Sequence, residues 1–403
     1  MKKLRKWLHH HARLITLSVG GALFGSAALG IGLGTLTDGI SEREVLLNHH
    51  ASSLAAILHD PVGLPLTLGQ WLTGMLPFHG DSWLRLPSAL FALGTLFCLT
   101  YIMRRWYGPR TALFCFFLFA SSAWFLHVGR LATTDILFLG AIPLLLFSHL
   151  LLHDHTESRR VAYTWLACTI LLLYVPGMVW FVLLNAWWQR ADIAAVLHSF
   201  KSWLGKMGLL IIGLVLLGPL VYGLVAGSTK TIGLELLGLP AAVPSMQELG
   251  SNLWNALLFI AVRGNAPNDV WLNHLPILDA FLTTLFLTGV YFYSTHWRAS
   301  RTRLLGSFIV LGILLVIGGG LTTIGVIVPL LYLVAAAGIA YLLHLWLVVF
   351  PRNPLARGFG IGLLSFAVAV SCLYGLRQYF VAWPYHPETH ATFSPHKIEP
   401  SHR

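Results

Sequence analysis

The sequence predicts an all-α polytopic membrane protein of about eleven transmembrane helices, with amphipathic helices on its outer surface. Three observations carry that fold class. Hydrophobic residues make up 56% of the 403 residues and charged residues only 10%, against about 25% charged in a soluble domain. Mean hydropathy is +0.73. Apolar runs near the ~20 residues that cross a bilayer recur along most of the chain.

The runs fall in order. Leu14–Leu36 follows the basic stretch MKKLRKWLHHHAR and reads as a retained helix rather than a cleaved signal. Further runs lie at about 83–103, 111–127, 136–152, 161–188, 207–227, 275–295, 304–320, 322–350 and 358–381. Pro176-Gly177 interrupts the 161–188 run, which reads as two short crossings or one kinked one; a single crossing would put Arg298, Arg301, Arg303, Arg352 and Arg357 outside, so charge favours two. With the N-terminus cytoplasmic, segments 1–13, 104–110, 153–160, 188–206, 296–303 and 351–358 then share one side. They hold 18 of the 26 Lys and Arg and only three of the 15 acids, Asp154, Glu157 and Asp192. That is a positive-inside bias. It makes the net charge of +11 topological, and it implies membrane lipids, not nucleic acid, as the surroundings. Residues 1–381 form a single transmembrane domain with outer loops at 37–82 and 228–274. Residues 382–403, rich in Pro and His, read as an extended or disordered outer tail. Cys98, Cys115, Cys168 and Cys372 lie in apolar runs and read as packing residues.

The first outer loop opens with LTDGISEREVLLNHH, which gathers Asp38, Glu42 and Glu44, a fifth of the acids in the chain. Ser41-Glu42-Arg43-Glu44 has the S-x-x-E form of a capping box, which predicts a helix starting at Glu42. Leu47, Ala51, Leu54, Ala55 and Leu58 then share one face, predicting one amphipathic helix over 41–58 on the membrane surface. At about 100° per residue, Glu44 falls near that apolar stripe and Glu42 points to water. A carboxylate facing the membrane side requires a partner or a purpose.

A second polar cluster, VGRLATTD, ends at Asp135. Thr133 or Thr134 can cap the span that follows, and Asp135 suits its N-terminal dipole. Arg130, in what reads as a short outer loop, is an interfacial anchor or a phosphate ligand. Acids and arginines on one outer face suit general-base chemistry, a divalent metal held by Glu44 and Asp135, or a lipid phosphate. In the second outer loop, AVRGNAPNDVWLNHLPILD offers Arg263, Asn268 and Asp269 for sugar hydroxyls or phosphate. A solvated connector is an equal reading of that stretch.

With these motifs the chain resembles multi-span glycosyltransferases of the GT-C fold, in the superfamily of dolichyl-phosphate-mannose protein mannosyltransferases and the lipid A aminoarabinose transferase. The resemblance covers about 1–190 in motifs and the rest in architecture. It rests on Ser41-Glu42-Arg43-Glu44 where the family has an acidic motif, on HDPVGLPL (59–66), on WLRLPSALFALGTL (83–96) and on Arg130 and Asp135 within the block WYGPRTALFCFFLFASSAWFLHVGRLATTDILF. It implies inverting transfer of a sugar from a polyprenyl-phosphate carrier to a lipid, glycan or protein acceptor, outside a bacterial plasma membrane. A first-loop acid would be the base, ranked Glu44, then Asp38, then Glu42, with Asp135 beside them. Arg85, Arg130 and Glu42 would bind substrate. The family leaves metal use open. The alternative is a transporter or flippase of lipid-linked sugars, which predicts charges deep within spans; the spans here have few.

Overall fold

The computed structural model describes residues 20–393 except 38, 78–79, 201–202, 227–228, 241, 243, 264–271 and 273. Asp38, Asn268 and Asp269 therefore lie outside the described residues. Among the described residues there is no strand.

The first apolar run carries α1 (Gly20–Gly30). The first loop folds into α2 (Glu42–His50), α3 (Leu54–His59) and α4 (Leu64–Gly74). The single 41–58 helix expected from periodicity is thus two. Ser53 starts the second by accepting a hydrogen bond from the Ala56 amide, and Leu54 is left exposed while Ile57 is buried. Serine satisfies an orphan helix amide better than it continues a helix.

Next come α5 (Asp81–Tyr107), α6 (Pro109–Ala120), α7 (Ala123–Arg130) and α8 (Asp135–Asp154). Helices α6 and α7 are bent by 64° at Ser121–Ser122, and Ser122 caps α7. Arg130 is consequently a buried helix end and not a loop residue. The 161–188 run divides as its sequence predicts, into α9 (Arg159–Leu172) and α10 (Met178–Trp188). Gly177 takes φ +75 at the break, where a Cβ would meet Leu315 at 2.5 Å, so only glycine fits without strain.

The chain continues through α11 (Arg190–Ser199), α12 (Trp203–Ala226), α13 (Thr229–Leu236), α14 (Met246–Ala261), α15 (Ala280–Thr295), α16 (Ser300–Gly319), α17 (Val328–Val349), α18 (Pro354–Arg377) and α19 (Pro387–Thr392). Six described helical stretches, built on α5, α8, α12, α16, α17 and α18, are long and apolar enough to cross a membrane, and the bent α6–α7 pair makes a seventh. The remaining expected crossings carry the shorter helices α1, α9, α10 and α15.

Burial ranks the spans. The most apolar window of the α17 span is 78% buried and that of α8 is 67%, against 6% for α12. Helices α8 and α17 form the centre and α12 lies at the periphery. Helix α15 presses onto α17 at Gly289 and Gly338, where a side chain would strike the Val334 and Leu285 carbonyls. Small residues let apolar helices approach this closely where lipid supplies no hydrophobic drive. The part of the tail up to 393 is not extended. Trp383 and Phe393 are 1% exposed, and Trp383 stacks on Tyr379.

Candidate active site

The first loop, the start of α5 and the α7–α8 turn meet at one face of the bundle, and two acid–arginine pairs join the loop to the other two. The first is fully internal. Ser41 and Glu44 form the expected capping box, and Glu44 is 0% exposed. Arg85 donates from Nε to Oε1 at 2.8 Å and from Nη2 to Oε2 at 2.9 Å. The Ala132 amide donates to Oε1 at 3.0 Å and the Ser41 amide to Oε2 at 3.0 Å. Arg85 spends its other donors on Thr37 Oγ1 and the Gly39 carbonyl, both at 3.1 Å. Burial alone would raise the Glu44 pKa. The Arg85 charge, with hydrogen bonds from Arg85, Ala132 and Ser41, outweighs it and holds the carboxyl below its ordinary value.

Two assignments made from sequence change as a result. A base must come within hydrogen-bond reach of the proton it takes, and Glu44 is committed to the protein on both oxygens. Arg85 cannot offer its fork to a phosphate while it neutralises Glu44. Arg130 is likewise internal, donating to the Ala28 carbonyl at 2.8 Å and the Ile31 carbonyl at 2.7 Å. Its guanidinium lies 5.3 Å from the Tyr379 ring centre and 5.0 Å from that of Phe380. It closes the end of α1 and holds the segment that follows α18.

The second pair is open. Arg43 donates from Nη1 to Asp135 Oδ2 at 2.8 Å and from Nη2 to Oδ1 at 3.0 Å. Thr133 Oγ1 adds a bond to Oδ2 at 3.1 Å, so Thr133 serves the carboxylate and does not cap α8. The side chains are 29% and 13% exposed. Both line a cavity of about 510 Å³ shared with His50, Asp60, Glu235 and Thr323. Its walls therefore come from α2, the α3–α4 turn, the start of α8, α13 and the stretch before α17. Asp60 Oδ1 accepts from the Val62 amide at 3.2 Å. Glu235 is exposed at the rim, yet surrounding protein and the Asp60 charge raise its pKa, partly opposed by His50.

Of the residues expected at the site, the cavity takes in Asp135 and leaves out Glu42, Glu44, Arg85, Arg130 and Arg263. Glu42 and Arg263 are exposed elsewhere. Arg43, Asp60 and Glu235 are the additions. Arg43 stands inside the quoted motif but pairs with a residue 92 positions away, a partner no local pattern marks. Asp60 stands in HDPVGLPL, and Glu235 had no signal. Among the described residues no group of three or more His, Cys, Asp or Glu side chains is arranged to hold a metal ion. Glu44 and Asp135, the ligands expected for one, each face an arginine instead, so this donor set does not fit a metal.

The bundle of apolar spans with a loop-built cavity at one face agrees with the GT-C type of membrane fold, and the solved structures that the chain matches carry that assignment. Among solved structures the chain is similar to ArnT from Cupriavidus metallidurans in the apo state, with TM-score 0.56 and 13% identity over 96% of this chain and 78% of that one. It is similar also to the same protein bound to undecaprenyl phosphate, with TM-score 0.50 and 14% identity over 95% and 77%. At these identities the likeness is one of fold. No protein-family model and no curated protein matches the sequence.

Proposed function

We propose that the chain is a membrane glycosyltransferase that moves a sugar from a polyprenyl-phosphate carrier to a hydroxyl acceptor, with inversion. Its site faces outside a bacterial plasma membrane. The observation that carries this reading is the cavity where Arg43 and Asp135 meet, on a fold also found in a protein solved with undecaprenyl phosphate. The positive-inside charge pattern supports the orientation, with the N-terminus cytoplasmic.

Transfer from a phosphate needs a base for the acceptor and a cation for the leaving group. Asp135 is the carboxylate we assign as base, in place of Glu44, and Arg43 is the cation. The acceptor oxygen attacks the anomeric carbon as its proton passes to Asp135. The bond from that carbon to the phosphate oxygen breaks, and polyprenyl phosphate leaves with the electron pair. Asp60 and Glu235 line the same cavity and suit hydrogen bonds to sugar hydroxyls.

The test is an assay of the purified protein in lipid with radiolabelled polyprenyl-phosphate sugars. The expected result is sugar released from the carrier onto an acceptor, and its loss in Asp135→Asn. An Asp38→Asn variant assayed beside it decides between the two carboxylates. A protein that neither binds nor consumes any such donor overturns the reading.

A further inference from the structure

Arg43 is the only Lys or Arg among the described residues lining the cavity. Arg85 and Arg130 are held by internal partners, and Arg263 does not line the cavity. A carrier phosphate entering the cavity therefore meets one lining cation, and that cation is already gripped at 2.8 and 3.0 Å by Asp135. A carboxylate and a phosphate both seek the planar guanidinium fork. Two anions competing for one fork are coupled, and the coupling is reciprocal.

Resting on the transferase reading, we propose that Arg43 is an exchange element: it holds Asp135 in the resting state and passes to the carrier phosphate as the sugar leaves, so that protonation of the base and neutralisation of the leaving phosphate are one event.

The charge balance gives the exchange a direction. The donor is a phosphodiester with one negative charge, and the base is a carboxylate with one. The products are a polyprenyl phosphate monoester, which at neutral pH carries between one and two charges, and a neutral Asp135 carboxylic acid. The acceptor proton moves onto Asp135, and the electron pair of the broken bond moves onto the phosphate. Asp135 becomes a poor partner for Arg43 in the same step in which the phosphate becomes a strong one. Partial exposure of both side chains, 29% and 13%, gives the fork room to turn. The Glu44–Arg85 pair, at 0% and 3%, has none. Thr133 Oγ1 remains on Asp135 Oδ2 and keeps the carboxyl in place when Arg43 departs.

The probe is a polyprenyl phosphate monoester, its affinity measured by tryptophan quenching on protein in lipid nanodiscs. Competition predicts that Asp135→Asn binds the probe more tightly than wild type, by about five-fold or more, a size ordinary for coupled sites, while losing transfer. Arg43→Gln should bind more weakly by a similar factor, and the double variant should match Arg43→Gln. Asp135→Ser, which also removes the charge, should repeat the gain if the amide variant misfolds. Equal or weaker binding in folded Asp135→Asn or Asp135→Ser overturns the exchange while leaving the transferase reading standing. Wild-type protein that does not bind the probe removes both.

Discussion

Arg43 and Glu44 are consecutive residues on one turn of α2, and each enters an ion pair with a distant partner, yet the two pairs are built differently. Glu44–Arg85 is sealed, with side chains 0% and 3% exposed and both carboxylate oxygens shared with backbone amides. Arg43–Asp135 opens on a cavity, and Thr133 adds a bond to its carboxylate. A buried pair cannot be broken cheaply, because the survivor is an unpaired charge in a dry interior. An open pair can exchange one partner for a substrate. Exposure, more than charge or sequence position, separates the acid locked into the fold from the acid open to the cavity.

The largest expected effect tests the open pair. Asp135→Asn should lower turnover by about 10²–10⁴, the usual contribution of a positioned base, with a melting temperature near wild type. Measuring both on one preparation breaks the comparison if turnover persists. It also breaks if the melting temperature collapses, since Asp135 would then be structural like Glu44.

Glu44→Gln should do the reverse. Glutamine can still serve the capping box, but it leaves Arg85 buried without a counter-charge, at about 3–5 kcal/mol. The expected outcome is a large fall in melting temperature, with turnover per folded molecule within about ten-fold of wild type. Near-normal stability with lost turnover would return the base to Glu44.

A milder perturbation of the same pair uses pH. The folded-state pKa of Glu44 lies below its ordinary 4.5, so the pair contributes stability that is fully present above that value. The contribution is lost as pH falls from about 4.5 through the lower folded-state pKa. Wild type should lose melting temperature steeply in that window, and Glu44→Gln should show a shallower slope. Parallel slopes would mean that Glu44 is not the group that titrates.

Much of this contrast was legible in the sequence, and the remainder shows what one-dimensional patterns omit. The S-x-x-E signal placed the start of α2, and the period of about 100° per residue turned Glu44 inward and Glu42 outward, as observed. Pro176-Gly177 marked the α9–α10 break because proline cannot continue a helix and glycine takes the left-handed turn at its end. The bend at Ser121–Ser122 carries no such residue, so Arg130 read as a loop residue when it ends α7. Ser53 is a cap signal in itself, but an apolar period running through it hid the break before α3. The identity of each arginine's partner was not legible. Arg85 to Glu44 spans 41 positions and Arg43 to Asp135 spans 92, and only the packing of α2 against α5 and α8 decides which arginine meets which acid.

The smallest expected effect concerns Glu42, two residues before Glu44 on the same helix. It is exposed and does not line the cavity. Its one physical role is a favourable charge in the first turn of α2. Glu42→Gln removes that charge from a site open to water, where screening leaves about 0.5 kcal/mol or less. Melting temperature and turnover should both stay close to wild type. The comparison sharpens if they do, since three neighbouring residues, Glu42, Arg43 and Glu44, then divide cleanly into a solvated charge, a cavity residue and a core residue. A ten-fold loss of turnover in Glu42→Gln at unchanged stability would mean that substrate reaches over the N-terminus of α2, and the site would then extend beyond the cavity that Arg43 and Asp135 share.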